Sequence, residues 1–289
     1  MIHAQPSTDA TRILAGLLET RTGQQIAPSR YWRIQSALAP LLKQHAIPDL
    51  EALVAVLSDA ENEKLLQESL ELMLNNESFF FRDIALFATL RTEAFPALRD
   101  RRAHRRSLRI WCAGTSTGQE AYSIAMLIDN ERELWDGWNI EIVGTDISAS
   151  VIARARSGRY SQFEIQRGLS VDYMLRYFSQ DGDEWVIDPR LQQMVRFQEE
   201  NILKPRSDLG RFDIILCRNV LMYFAPETRA IAYSKLERSL EDDGLLMLGA
   251  AETVMDQTEL FSGTREMRGL YCKAVPGRTG LSSLPPPLG

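Results

Sequence analysis

Cysteine and histidine are both scarce in this 289-residue chain, at three each. Cys112, Cys217 and Cys272 lie far apart without CxxC spacing, and two of them sit inside apolar runs. They read as reduced core residues rather than disulfide partners or zinc ligands. His3, His45 and His104 stand in unrelated contexts, so no metal is expected. No apolar run reaches the ~18 residues that a membrane span needs. The opening MIHAQPSTDA has neither the charged nor the apolar part of a signal peptide. An excess of positive charge is missing too. The 33 Lys and Arg stand against 39 Asp and Glu, a formal net charge of -6, which argues against nucleic acid as the main partner. These absences lead to a cytoplasmic protein not inserted in a membrane, with enough chain for one large domain or a small one plus a larger one.

What is present divides the chain by pattern. Residues 1–10 read as a flexible tail. From 11 to 98 the periodicity is helical, with stripes at Ile13, Leu14, Leu17 and Leu18 and again at Leu65, Leu66, Leu70, Met73 and Leu74. Gly23, Pro28 and Pro48 mark breaks between helices. The basic run RDRRAHRR opens a linker at 99–107. An α/β domain then spans 108–276. Its strands are expected at Leu108–Ala113, Ile140–Gly144, Val195–Glu199, Phe212–Cys217 and Gly244–Gly249, alternating with helices. That order implies a doubly wound parallel sheet. Residues 158–194 break the alternation and look inserted, and 277–289, ending PPPLG, read as a disordered tail.

The most informative unit is Trp111-Cys-Ala-Gly-Thr-Ser-Thr-Gly-Gln-Glu120, a strand, a small-residue loop and a helix start. Such a loop lets a ligand approach the backbone, and a helix N-terminus offers free N–H groups. It is not GxGxxG, and Glu120 places a carboxylate where a pyrophosphate would sit, which suits a cationic amino-acid group better. Asp146 ends the next strand, where an acidic side chain can accept hydrogen bonds from both ribose hydroxyls of an adenosine. Asp146 or Ser148 serves equally well as an N-cap for the following helix. Together the two carboxylates point to a nucleoside without phosphates, a description that S-adenosylmethionine fits.

Two further segments, Asn76-Glu-Ser-Phe-Phe-Phe-Arg-Asp83 and Phe212-Asp-Ile-Ile-Leu-Cys-Arg-Asn-Val-Leu-Met-Tyr-Phe224, stand in order with STGQEAYSIAM (116–126) and GTDIS (144–148). With them the chain resembles the CheR methyltransferases over about residues 11–275. The resemblance implies an N-terminal all-helical domain and a Rossmann-like S-adenosylmethionine methyltransferase domain with a small inserted β-subdomain. It implies cofactor contacts from Asn76, Ser78, Arg82, Glu120, Asp146, Asn201, Ile202, Arg218 and Asn219, and catalytic roles for Arg82 and Tyr223. The activity implied is methyl transfer to glutamate carboxylates on the cytoplasmic domain of methyl-accepting chemotaxis receptors, by a monomer, leaving S-adenosylhomocysteine. The chemistry agrees with what is absent: a glutamate is already ionised near neutral pH, so alignment matters more than a base.

The chain departs from the family pattern at four places. Ala121 stands where the family has proline, and Ser78 replaces threonine with the hydroxyl kept. The stretch matching the arginine-rich receptor-docking helix, Ala37–Lys43, holds Lys43 as its only basic residue, leaving Arg30, Arg33, Lys43 and the 99–106 run as candidates. The insert between Tyr177 and Val195 is short for gripping a receptor's C-terminal pentapeptide, so a pentapeptide-independent enzyme is expected. Two other readings stay open: a methyltransferase of another protein or a small acid, and a non-catalytic regulator that binds S-adenosylmethionine or its demethylated product.

Overall fold

The strands that the apolar runs announce lie side by side in a seven-stranded sheet of order β6-β2-β1-β7-β8-β10-β9 in the computed structural model, which describes residues 8–204, 209–265 and 267–274. These strands are β1 (Ser107–Ala113), β2 (Asn139–Asp146), β6 (Val195–Glu199), β7 (Phe212–Cys217), β8 (Leu240–Leu248), β9 (Phe261–Gly263) and β10 (Leu270–Lys273). The first five run parallel, and β10 pairs antiparallel with both β8 and β9. Every residue of β7 is buried, as a strand covered on both faces must be. The chain leaves β1 toward β2 and β6, then crosses back to β7, so the order reverses beside β1. In open α/β sheets ligands bind at such a point, outside the carboxyl ends of the strands. The antiparallel β9–β10 pair escapes the sequence pattern because β9 is only three residues long and ends in glycine.

Between β2 and β6 lies the insert. It holds β3 (Arg159–Ser161), β4 (Phe178–Asp181) and β5 (Glu184–Ile187) in a small antiparallel sheet of order β3-β5-β4. Two caps set its helices: Ser161 and Glu164 form a reciprocal capping box on Gln162–Gln166, and Ser170 caps Val171–Tyr177.

Contacts divide the chain into two units, 1–75 with 223–228, and 76–222 with 229–289. The first is helical, with α1 (Thr8–Thr22), α2 (Trp32–Gln44), α3 (Leu50–Leu57) and α4 (Glu63–Met73). Its core is Leu14, Leu18, Ile34, Leu38, Leu41, Leu53, Leu66 and Leu70. Asp49 caps α3 by accepting the Ala52 N–H at 2.8 Å. The second unit contains the sheets with α5 (Ile84–Thr89), α6 (Phe95–Arg101), α7 (Gln119–Asn130), α8 (Ala149–Ser157), α9 (Gln162–Gln166), α10 (Val171–Tyr177), α11 (Pro189–Met194) and most of α12 (Pro226–Ser239).

Three expectations about boundaries need correcting. Helix α1 already begins at Thr8, so the tail expected over 1–10 is shorter; residues 1–7 lie outside the described residues, as does the tail expected at 277–289. The helical unit ends at Asn75 rather than near 98, because Phe87, Leu90, Ala94, Phe95 and Leu98 belong to the core of the sheet unit. A 3.6-residue period marks an apolar helix face but not which core receives it. Nor is 99–107 a linker. Arg102, buried, donates to Asp213 and Asp243 at 2.6 Å each, and Arg105 pairs with Asp213 as well. Burial lowers the Arg102 pKa, but the hydrogen bonds to Asp243 and Asp213 outweigh it and hold the guanidinium above its ordinary value. The run offered as a docking surface thus has Arg102 turned inward as a structural ion cluster.

Candidate functional site

Two strand ends and a helix start build the centre of the site. After β1 the chain turns through Gly114–Gly118 into α7. Gly118 sits just before the helix at φ +92, and a Cβ there would stand 3.0 Å from both Ala155 Cβ and the Phe197 ring. Only glycine suits that backbone and that space. Within the first turn of α7, Glu120 meets Arg218 from the end of β7, with Nη1 donating to Oε2 at 2.9 Å. Burial pushes the Glu120 carboxyl above the usual carboxylate range; Arg218 and the Cys112 thiol hold part of that shift back.

Asp146, at the end of β2, does not cap α8. Ser148 does, accepting the Val151 N–H. Asp146 instead accepts the Ser116 N–H at 2.9 Å and the Ser148 N–H at 3.1 Å, tying the β1–α7 loop to the β2–α8 loop. Sequence alone left these two capping choices open because both residues are good caps, only two positions apart. Ser116 also donates through Oγ to the Asn76 carbonyl at 2.7 Å, bringing the 76–83 segment to the same loop.

That segment is held in an unusual conformation. Phe81 and Asp83, neither of them glycine, take φ of 51 and 62, on either side of Arg82. Each such residue costs about 1–3 kcal/mol and persists only where its surroundings impose it. Here they do: the Phe81 N–H donates to Ser123 Oγ at 3.0 Å, and Asp83 accepts from Arg218 Nη2 at 2.8 Å. Arg218 Nη2 also reaches the Arg82 carbonyl. Arg218 is therefore a buried clamp on Glu120, Asp83 and the Arg82 backbone, where the resemblance implies a direct cofactor contact. The half-buried Arg82 side chain donates to the Glu77 carbonyl at 2.9 Å and lies 5.6 Å from the Phe79 ring centre. Ser78, half-buried, is on the same segment.

Loops after β6 and β7 complete the arrangement. Asn201 accepts the Leu203 N–H at 2.8 Å through its side-chain oxygen, and half-buried Ile202 lies in that turn. The turn is braced from α12 by buried Lys235, which donates to Glu200 at 3.1 Å and to the Asn201 carbonyl at 3.2 Å. Asn219 follows β7 with φ 58, its N–H donated to Glu252 at 2.6 Å. Sequence reasoning missed Lys235, Asp83 and Glu252. Only Glu252 had a visible signal, as an acid three residues beyond Gly249 at a strand end.

The α/β unit thus contains every expected cofactor residue. Tyr223 belongs to the helical unit, with Gln25 and Asn75 as partners, while Gln24 bridges to the neighbouring Phe224. Two carboxylates, one at a helix start and one at the neighbouring strand end, on either side of a small-residue loop, suit a cationic nucleoside, and S-adenosylmethionine fits these acceptors. Among the described residues no group of three or more His, Cys, Asp and Glu is placed to hold a metal, and no helix is long and apolar enough to cross a membrane.

The sequence is similar to those of known proteins. The family model described as CheR methyltransferase, SAM binding domain, matches residues 76–269. A chemotaxis protein methyltransferase of Vibrio parahaemolyticus is 32% identical over 91% of this chain and 95% of its own. Chemotaxis protein methyltransferase 1 of Pseudomonas aeruginosa is 34% identical over 89% of this chain and 94% of its own.

Proposed function

Since the chain belongs to the CheR methyltransferase family, a family of S-adenosylmethionine-dependent methyltransferases, we propose that it esterifies glutamate side chains of methyl-accepting chemotaxis receptors on their cytoplasmic domains. The observation that carries this reading is the pair of carboxylates, Glu120 in the first turn of α7 paired with Arg218, and Asp146 at the end of β2 tied to Ser116. Asn76, Ser78, Arg82, Glu120, Asp146, Asn201, Ile202 and Asn219 are the residues that would hold the cofactor, with Arg218 acting through Glu120 and Asp83.

When bound, S-adenosylmethionine supplies a methyl group on a sulfonium, whose sulfur keeps the electron pair when the methyl departs. A glutamate carboxylate oxygen forms the new bond to carbon, and no proton moves. The protein's work is alignment and exclusion of water. Arg82, fixed between two left-handed residues, orients the acceptor carboxylate as a charge-assisted donor. Tyr223 donates its hydroxyl proton as a hydrogen bond to one carboxylate oxygen, leaving the other to attack.

One feature favours a different acceptor for the same chemistry. The exposed positions of α2 are Trp32, Gln35, Ser36, Ala39, Pro40, Lys43 and Gln44, with Lys43 as their one cation and half-buried Arg33 at the start of the helix. A receptor stalk rich in acid would find little charge there. Methyl-labelling of purified receptor cytoplasmic fragments tests both. Label on glutamate that mild alkali releases as methanol supports receptor esterification. Alkali-stable label on lysine or arginine sinks the carboxylate chemistry, and failure to label any receptor fragment moves the acceptor elsewhere.

A further inference from the structure

Glu252 belongs to none of the segments that carry the family pattern, yet its carboxylate gathers three backbone N–H groups. Oε2 accepts from Asn219 at 2.6 Å and from Gly249 at 2.9 Å, and Oε1 accepts from Met222 at 3.2 Å. Asn219 and Met222 follow β7; Gly249 and Glu252 follow β8, its parallel neighbour. One side chain therefore fastens the loop after β7 to the next strand end. The packing leaves no slack. A Cβ on residue 249 would stand 2.8 Å from Glu252 Oε2 and 2.8 Å from Asn219 Nδ2, so Gly249 is what lets the carboxylate and the amide converge. Asn219 is left-handed at φ 58, a conformation that a side-chain-bearing residue keeps only when its surroundings impose it.

We propose that Glu252 is a positioning residue for cofactor binding: by holding the Asn219 and Met222 N–H groups it fixes the Asn219 side chain in the orientation the bound nucleoside requires. This rests on the reading of Asn219 as a cofactor contact. A carboxylate is needed because both oxygens must accept. A glutamine would turn an NH₂ donor toward one of the N–H groups and leave that donor opposed.

The test is calorimetry of S-adenosylhomocysteine binding to the full chain and its variants, with thermal melting to confirm folding. Asn219→Gly removes the amide while tolerating the positive φ. Glu252→Ala is expected to weaken binding about tenfold or more, as lost charge-assisted hydrogen bonds imply. The Glu252→Ala, Asn219→Gly double variant should bind about as weakly as either single one, because both changes remove the same contact. Glu252→Gln should not restore affinity, and Gly249→Ala should reproduce the loss without changing any charge. These two variants keep the test informative if Glu252→Ala does not fold. Wild-type affinity in folded Glu252→Gln and Gly249→Ala, or losses from Glu252 and Asn219 that add in full, would overturn the positioning role. Unchanged affinity in Asn219→Gly would instead remove Asn219 from the cofactor site and take this inference with it.

Discussion

The Tyr223 hydroxyl accepts a hydrogen bond from the side-chain amide of Asn75, while the Tyr223 carbonyl accepts the Gln25 N–H at 2.7 Å. The phenol oxygen is thus held as an acceptor on one side, and its own proton is left to donate. A donor hydrogen-bonded at its oxygen is polarised and becomes a stronger donor.

If that proton orients the acceptor carboxylate, Tyr223→Phe should slow single-turnover methylation at saturating S-adenosylmethionine about tenfold to a hundredfold, the worth of one hydrogen bond at the barrier. Cofactor affinity should barely change. Asn75→Ala should shift the rate in the same direction by less, since the phenol stays but loses its polarising partner. A wild-type single-turnover rate in Tyr223→Phe would reduce Tyr223 to packing and leave Arg82 alone in the catalytic role.

Asp146 carries two backbone N–H groups from two loops, so it has a local role beside any ribose contact. Asp146→Ala should weaken S-adenosylhomocysteine binding by about 1–3 kcal/mol. Asp146→Asn separates the roles. It keeps one acceptor oxygen for the loops but presents an amide to the other N–H. Calorimetry with melting temperatures read alongside is the measurement. Unchanged affinity in folded Asp146→Ala would take Asp146 out of the site.

The parallel strands were legible because buried strands are nearly continuous apolar runs, and Phe212–Cys217 is buried throughout. The placement of Glu120 at a helix start and of Asp146 at a strand end was legible because a small-residue loop and an apolar run mark where those elements begin and stop. What decided Arg218 was not legible. Its partner Asp83 lies 135 residues away in sequence, and nothing local to either announces the pair. The same holds for Arg102. In sequence it is one of several basic residues in RDRRAHRR; in the fold it is almost wholly buried, because Asp213 and Asp243 meet it from β7 and β8. Helical pattern likewise carried the expected helical domain through to residue 98, although Phe87, Leu90 and Leu98 pack into the core of the sheet unit.

That buried cluster predicts a stability effect. Arg102→Leu leaves Asp213 and Asp243 without their shared cation, and breaking a buried pair on one side costs about 3–5 kcal/mol. Denaturant unfolding should show a loss of that order. Arg99→Ala on the same run is a control, because its guanidinium lies 5.8 Å from the Trp135 ring centre rather than in this cluster. Equal effects from the two substitutions would count against the cluster as the anchor of the 99–106 segment.

The elevated pKa of Glu120 makes the last prediction one about pH. In the folded protein burial raises this carboxyl above its ordinary value of 4.5, with Arg218 and Cys112 restraining the shift. As pH falls through the raised value, Glu120 takes up a proton and loses the charge that would hold the cofactor's amino group. Its contribution to S-adenosylhomocysteine affinity should therefore decrease toward acid. Stability of the ligand-free protein should respond with the opposite sign. A carboxyl with a higher pKa folded than unfolded contributes stability below the unfolded value, and that contribution is lost as pH rises through the folded one. Depressed groups such as Asp243, lowered by Arg102 against the effect of burial, follow the reverse rule at lower pH. The difference between wild type and Glu120→Gln isolates the Glu120 contribution from theirs. Glutamine keeps an oxygen for Arg218 but cannot ionise. Calorimetric affinity and denaturant stability, each measured from about pH 5 to 8, should both show a pH-dependent difference between the two proteins, with opposite slopes. If the two affinity curves run parallel across that range, Glu120 does not hold the cofactor by its charge, and its pairing with Arg218 is purely structural.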